Sequence, residues 1–265
     1  MMLWLNGTLL PDGEARIDPA DRGFTLGDGL FETLAVRDRE ILRLESHLQR
    51  LGHGCEVLRL PPPPDGIAEA IAAVLQANAL KDAAVRVTYT RGPGARGLPL
   101  PATCEPTLLV TAAPLPPPRP PASCIVATVT RRNEHSPLSR IKSTNYLDNI
   151  LAREEARQRN AADALLLNGA GNLAEAAAAN VFIVKDGQVM TPPLEDGALE
   201  GIMRAEIIAR TGAAERSLSL ADAAGADEVF LSNSLGLQAA VQLDGAPIGN
   251  GMPGPQYLAL ASCLD

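Results

Sequence analysis

Asp163-Ala164-Leu165-Leu166-Leu167-Asn168-Gly169-Ala170-Gly171-Asn172-Leu173-Ala174-Glu175-Ala176-Ala177-Ala178-Ala179-Asn180-Val181-Phe182-Ile183-Val184 can be read in two ways. Propensity alone winds the alanine run into a helix. The run is only a few residues long, however, and it lies between two apolar strand signals, at 164–167 and 181–185. It therefore reads as strand and turn, and the half of the chain around it as sheet with attached helices. Its single acid, Glu175, is framed by small side chains. That setting suits a buried contact, because small neighbours let a bulky planar ligand approach.

Outward from this stretch, strands are expected at 124–129 and 188–191, with Asp186-Gly187 turning the chain between 181–185 and 188–191, and at 228–232. Helices are expected at 145–158 and 202–210. The prolines at 114–121 lack amide donors and fix φ, so they end any helix or central strand. They divide the chain into a small α+β domain at 1–113, a linker at 114–121 and a larger domain at 122–265. In the first domain, strands are expected at 3–6 (turning at Asn6-Gly7), 30–37, 40–44, 84–90 and 108–112. The spacing of Leu44, Leu48, Leu51, Cys55 and Leu58 predicts a helix over 45–58 with one apolar face. A second helix, over 67–79, has Asp65 as its expected cap. Helices and strands mix without regular βαβ alternation, which favours α+β.

Composition excludes several classes. A net charge of -8 argues against a general nucleic-acid binder. Cys55, Cys104, Cys124 and Cys263 form no CxxC pair, so no zinc or redox motif is visible and no metal is expected. There is no basic start followed by a long apolar run, and no apolar run of membrane-spanning length. A soluble cytoplasmic protein is the expectation.

Four further segments could carry chemistry. Ile141-Lys142-Ser143-Thr144-Asn145-Tyr146-Leu147-Asp148-Asn149 sets a lysine just before a helix; a lone lysine is usually a solvated charge. Arg91-Gly92-Pro93-Gly94-Ala95-Arg96-Gly97 combines glycines, which allow close backbone approach, with two arginines that suit an anion. Gly201-Ile202-Met203-Arg204 opens a helix, whose free amides can bind phosphate. Ser232-Asn233-Ser234 closes a strand.

With Arg50 in His47-Leu48-Gln49-Arg50-Leu51, these segments in this order resemble the fold-type IV pyridoxal phosphate (PLP) enzymes. That group holds branched-chain aminotransferases, D-amino-acid aminotransferases and 4-amino-4-deoxychorismate lyases. The resemblance implies a two-domain, D-amino-acid aminotransferase-like fold and PLP as cofactor. It implies that Lys142 carries PLP as a Schiff base and acts as general base. Glu175 would pair with the pyridine nitrogen. Tyr146 would hydrogen-bond the ring's phenolic oxygen. Arg50, on a helix face with His47 and Gly54 and free to reach a ligand, would bind phosphate with Ile202, Met203 and Ser234; Asn180 and Gly201 complete the cofactor set. Phe31, Arg91 and Arg96 are the expected substrate-binding residues, the arginines for carboxylates.

Gly201-Ile202-Met203-Arg204 and Asn233-Ser234-Leu235 look like the lyase version, since aminotransferases usually have threonine where Met203 stands. D-amino-acid aminotransferases typically have tyrosine where Phe31 stands and histidine where Leu98 stands. The expected activity is therefore conversion of 4-amino-4-deoxychorismate to 4-aminobenzoate and pyruvate, for folate synthesis. The alternative is a branched-chain or D-amino-acid aminotransferase. The resemblance also implies an amino acid-like small substrate and a homodimer.

Overall fold

The computed structural model describes residues 1–264 and divides into two compact units. The first comprises Met1–Pro116 together with Ile141–Asn145; the second comprises Pro117–Arg140 and the chain from Tyr146 onward. The change of unit at Pro116 falls within the proline run. The return of residues 141–145 to the first unit was not part of the sequence expectation.

The first unit is built on a six-stranded antiparallel sheet. Its elements are β1 (Met2–Leu5), β2 (Thr8–Pro11), α1 (Arg22–Leu26), β3 (Gly29–Arg37), β4 (Glu40–Ile41), α2 (Leu44–Leu58), α3 (Ile67–Ala77), β5 (Ala83–Thr90) and β6 (Thr107–Pro114). The strand order is β2-β1-β6-β5-β3-β4. The turn at Asn6-Gly7 has φ of 44° and 91°, which a glycine in the second position accommodates. The leucine stripe of α2 packs as expected: Leu51 and Cys55 are buried, with Leu44, Leu48 and Leu58 at their margin, against Leu34 and Val36 of β3 and Ile71 of α3.

Two local expectations fail. The strand over 40–44 stops at Ile41, because Arg43 turns left-handed (φ 55°) and α2 begins at Leu44. Asp65 does not cap α3; Gly66, with φ 87°, takes that position without a side-chain bond.

The second unit holds β7 (Ala122–Val126), α4 (Leu147–Gln158), β8 (Asp163–Leu167), β9 (Leu173–Ala176), β10 (Asn180–Lys185), β11 (Gln188–Thr191), α5 (Ile202–Thr211), β12 (Ala214–Glu215), α6 (Leu220–Ala224), β13 (Glu228–Asn233), β14 (Gly236–Leu243), β15 (Ala246–Pro247) and α7 (Pro255–Leu264). Its sheet runs β12-β11-β10-β13-β14-β7-β8-β9, with β15 on β14. Strand and turn, not helix, therefore hold over Leu173–Lys185.

The short link from β9 to β10 bends this sheet. The two strands lie five steps apart in the sheet order. A flat sheet would separate them by about 24 Å, whereas the chain from Ala176 to Asn180 reaches only about 14 Å. The sheet must curl, and a backbone bridge from Ala176 to Ala179 marks the closure. Side chains alternate across it. Val181, Ile183, Val229 and Leu231 fill the interior, while Phe182 and Phe230 stack outside (centroids 5.0 Å apart) in a layer with Met203 and Ile207 of α5. Among the described residues no helix is long and apolar enough to cross a membrane.

Candidate active site

In the first unit, residues 142–144 lie along β3 on the edge that β5 leaves open. Phe31 N donates to Lys142 O (2.9 Å), Thr144 N donates to Gly29 O (2.9 Å), and Leu30 bridges Ser143. Thr144 Oγ1 and Asn145 Nδ2 both donate to Gly27 O. The backbone of Lys142 is thus fixed to a strand. Its half-buried side chain places Nζ 4.3 Å from the ring centroid of Phe31, and Cζ of Arg86 lies 3.8 Å from the same centroid.

The opposite face of β3 carries Glu32, in phase with Leu30 and Leu34. It is 2% exposed. Arg50 grips it with two bonds, Nε to Oε1 (2.8 Å) and Nη2 to Oε2 (2.6 Å), and His47 Nδ1 lies 2.7 Å from Oε2. Burial opposes charge on Glu32, but Arg50 and then His47 outweigh it and hold the carboxyl below its ordinary value. Burial pushes the His47 imidazole down despite Glu32, and the charges of Arg50 and Lys142 push the same way. The sequence reading expected the face of α2 with His47, Arg50 and Gly54 to be open; it is instead buried against β3, with Nε and Nη2 of Arg50 on Glu32, a residue that reading passed over.

Arg91 also requires correction. It is only 2% exposed. Its Nε and Nη2 bind Asp28 (2.7 and 3.0 Å), Nη2 also reaches Leu58 O (2.7 Å), and Nη1 donates to Arg59 O (2.9 Å). A guanidinium with its donors spent on its own chain cannot also grip a substrate carboxylate. Burial raises the Asp28 carboxyl, but Arg91 and Arg22 outweigh it and hold it below the ordinary range. Arg22 extends the clamp by donating to Gly97 O (3.0 Å). Arg96, in the loop so anchored, is exposed.

In the second unit, Glu175, Asn180 and the start of α5 come together. Glu175 is 5% exposed. It accepts from Leu199 N (2.9 Å) and pairs with Arg132 Nε (3.1 Å). Asn180 Nδ2 donates to Leu199 O (2.8 Å). Gly201 is the N-cap of α5 and offers no side chain to its free amides; a Cβ there would run into Oδ1 of Asn180. Asn180 also pairs across the sheet with Ser232, whose buried Oγ has no hydrogen-bond partner. Ser234 lies just beyond β13, and Tyr146 stands at the start of α4, half-buried.

This donor set fits PLP. The free amides of Ile202 and Met203 and the orphaned Ser232 hydroxyl suit a phosphate, and the fixed carboxylate suits a pyridinium. Arg132 and Ser232 are additions to the sequence-based set. Ser232 stands two residues before Ser234 in the same short segment, but only the fold shows its hydroxyl without a partner.

Comparisons with known proteins agree. The family model "Amino-transferase class IV" matches residues 29–242. A Methanocaldococcus jannaschii protein named "Putative branched-chain-amino-acid aminotransferase" is 32% identical over 94% of this chain and 90% of its own length. The D-alanine aminotransferase of Staphylococcus haemolyticus is 26% identical over 96% and 93%. The branched-chain amino acid aminotransferase of Escherichia coli superposes with a TM-score of 0.90 at 27% identity, covering 98% of this chain and 91% of that one. The match spans most of the chain, and the chain therefore belongs to the class IV aminotransferases, fold-type IV enzymes that use pyridoxal phosphate.

Proposed function

We propose that the protein is an aminotransferase acting on an aliphatic amino acid of the branched-chain type, with Lys142 as cofactor carrier and general base. Kinship carries the choice of reaction: the branched-chain relative matches at 32% identity over nearly the full length of both chains. Local geometry supports the choice of lysine. The chain has three lysines. Lys81 is exposed, and Lys185 is bound to Asp227 at the surface (3.0 Å). Only Lys142 is half-buried and backbone-fixed beside an aromatic ring.

The bound cofactor supplies an electron sink for the negative charge that develops at the substrate α-carbon. The protein's own groups do the rest. Nζ of Lys142 takes the proton from that carbon. Glu175 would hold a proton at the pyridine nitrogen, Tyr146 would donate to the ring oxygen, and the amides of Ile202 and Met203 with Ser232 and Ser234 would bind the phosphate. Arg50, oriented by Glu32, is the proposed arginine for the phosphate. Phe31 bounds the space around Nζ, and Arg96 binds the substrate carboxylate.

The lyase reading rests on Met203, on Asn233-Ser234-Leu235 and on the loop at 91–97. The Met203 side chain packs in the apolar layer with Phe182, Phe230 and Ile207, so a threonine–methionine difference there is first a difference in core packing. The deciding experiment supplies purified holoenzyme with leucine or D-alanine plus 2-oxoglutarate, and separately with 4-amino-4-deoxychorismate. Glutamate formed from leucine supports the proposal. Release of 4-aminobenzoate without transamination restores the lyase, and D-alanine turnover alone reassigns the substrate.

The same reading includes a homodimer. Leu147, Ile150 and Leu151 of α4 are 74%, 59% and 49% exposed on one helix face, as expected of a surface that a second copy covers. Light scattering at monomer mass would overturn this.

A further inference from the structure

We propose that Arg132 is a positioning residue that holds Glu175 in the orientation and charge state the pyridine nitrogen requires. The inference rests on the reading of Lys142 and Glu175 given above and adds a residue to it.

Glu175 pairs with Leu166 just before the register shift of β8 and β9. Two contacts hold its carboxylate. Leu199 N holds Oε2 at 2.9 Å, and Arg132 Nε lies 3.1 Å from Oε1. Arg132 is itself held at several points. Its backbone N donates to Leu167 O (2.9 Å), and it bridges Asn168 at the end of β8. Its single Nε–H donates to Gly197 O (3.1 Å), so the contact of Nε with Glu175 is an ion pair, and its Nη2 donates to Ser139 O (2.8 Å). One planar guanidinium thus ties the carboxylate to the turn at Gly197 and to the segment that leads along the chain into Lys142. A lysine has the charge but not the fork needed to join these points.

The electrostatics point the same way. Glu175 and Arg132 expose only 7% and 13% of their side chains. A carboxylate so buried is costly without a counter-charge. Without Arg132, Glu175 is expected to turn away or take up a proton, and in either case it no longer holds a proton on the pyridine nitrogen.

The test is 15N NMR of holoenzyme loaded with PLP labelled at the pyridine nitrogen, alongside the rate of cofactor release. In Arg132→Met the nitrogen signal is expected to move toward the unprotonated position, with release faster by on the order of tenfold, the scale of one lost charged contact. Arg132→Lys should restore the signal and slow release only in part. In a Glu175→Gln background, Arg132→Met should add nothing to the signal change. A folded Arg132→Met holoenzyme with wild-type signal and release rate overturns the inference. If that variant does not fold, Arg132→Gln replaces it, and equal signals in the Gln and Lys variants overturn the inference. Wild-type protein that fails to take PLP on Lys142 instead overturns the underlying reading.

Discussion

Arg50 binds Glu32 through two parallel hydrogen bonds of 2.8 and 2.6 Å, on the side of β3 that otherwise packs the first unit's apolar core. With His47 it forms a charge cluster sealed from water, so its protonation is coupled to folding. Glu32 is held below its ordinary value, and its contribution is lost only as pH falls through that lowered value. His47 is also lowered: in acid the unfolded chain binds a proton at an ordinary value of about 6.5 that the folded chain refuses. Stability rises with pH wherever the unfolded state binds more protons. Thermal unfolding of the apoprotein should therefore shift to lower temperature as pH drops below about 6.5, and His47→Gln should flatten that slope. A wild-type midpoint that rises on acidification in this range would contradict the assignment.

Arg91 and Arg96 should separate cleanly. Arg91→Ala leaves Asp28 with Arg22 alone and opens carbonyls at Leu58 and Arg59. Breaking a buried pair in this way costs about 3–5 kcal/mol, read as a lower urea midpoint. Arg96→Ala should leave that midpoint unchanged and raise KM for the amino acid by roughly 10- to 100-fold, the value of one charged hydrogen bond. Unchanged KM in Arg96→Ala would remove it from the substrate site.

Gly201 is required by space rather than by backbone angle, since its φ is an ordinary -76°. Gly201→Ala should displace the start of α5 and weaken PLP binding by on the order of tenfold. Asn180→Ala removes the obstructing oxygen, so the double variant should bind PLP better than Gly201→Ala alone. Titration of apoenzyme with PLP checks this; additive losses would contradict the steric account.

The legible parts of the sequence were those governed by short-range periodicity. The leucine stripe of α2, the alternation in β5 and the strand reading of the alanine run follow from neighbours a few residues apart. Glu32 was also readable, since it sits in phase with Leu30 and Leu34, where an acid must find partners, and His47 and Arg50 share one helix face. Arg91 was not, because its partner Asp28 and the carbonyls of Leu58 and Arg59 are brought to it only by the fold. For the same reason nothing local marked residues 141–145 as belonging to the first sheet. Arg132 looked like one of several arginines until the turn at Gly197 and the strand bearing Glu175 were placed around it.

Borohydride reduction of the holoenzyme, followed by peptide mass spectrometry, tests the central claim most directly. The account predicts a pyridoxyl adduct on the peptide containing Lys142, and no adduct in Lys142→Ala. An adduct on Lys81 or Lys185, or none on wild-type protein saturated with PLP, would contradict it.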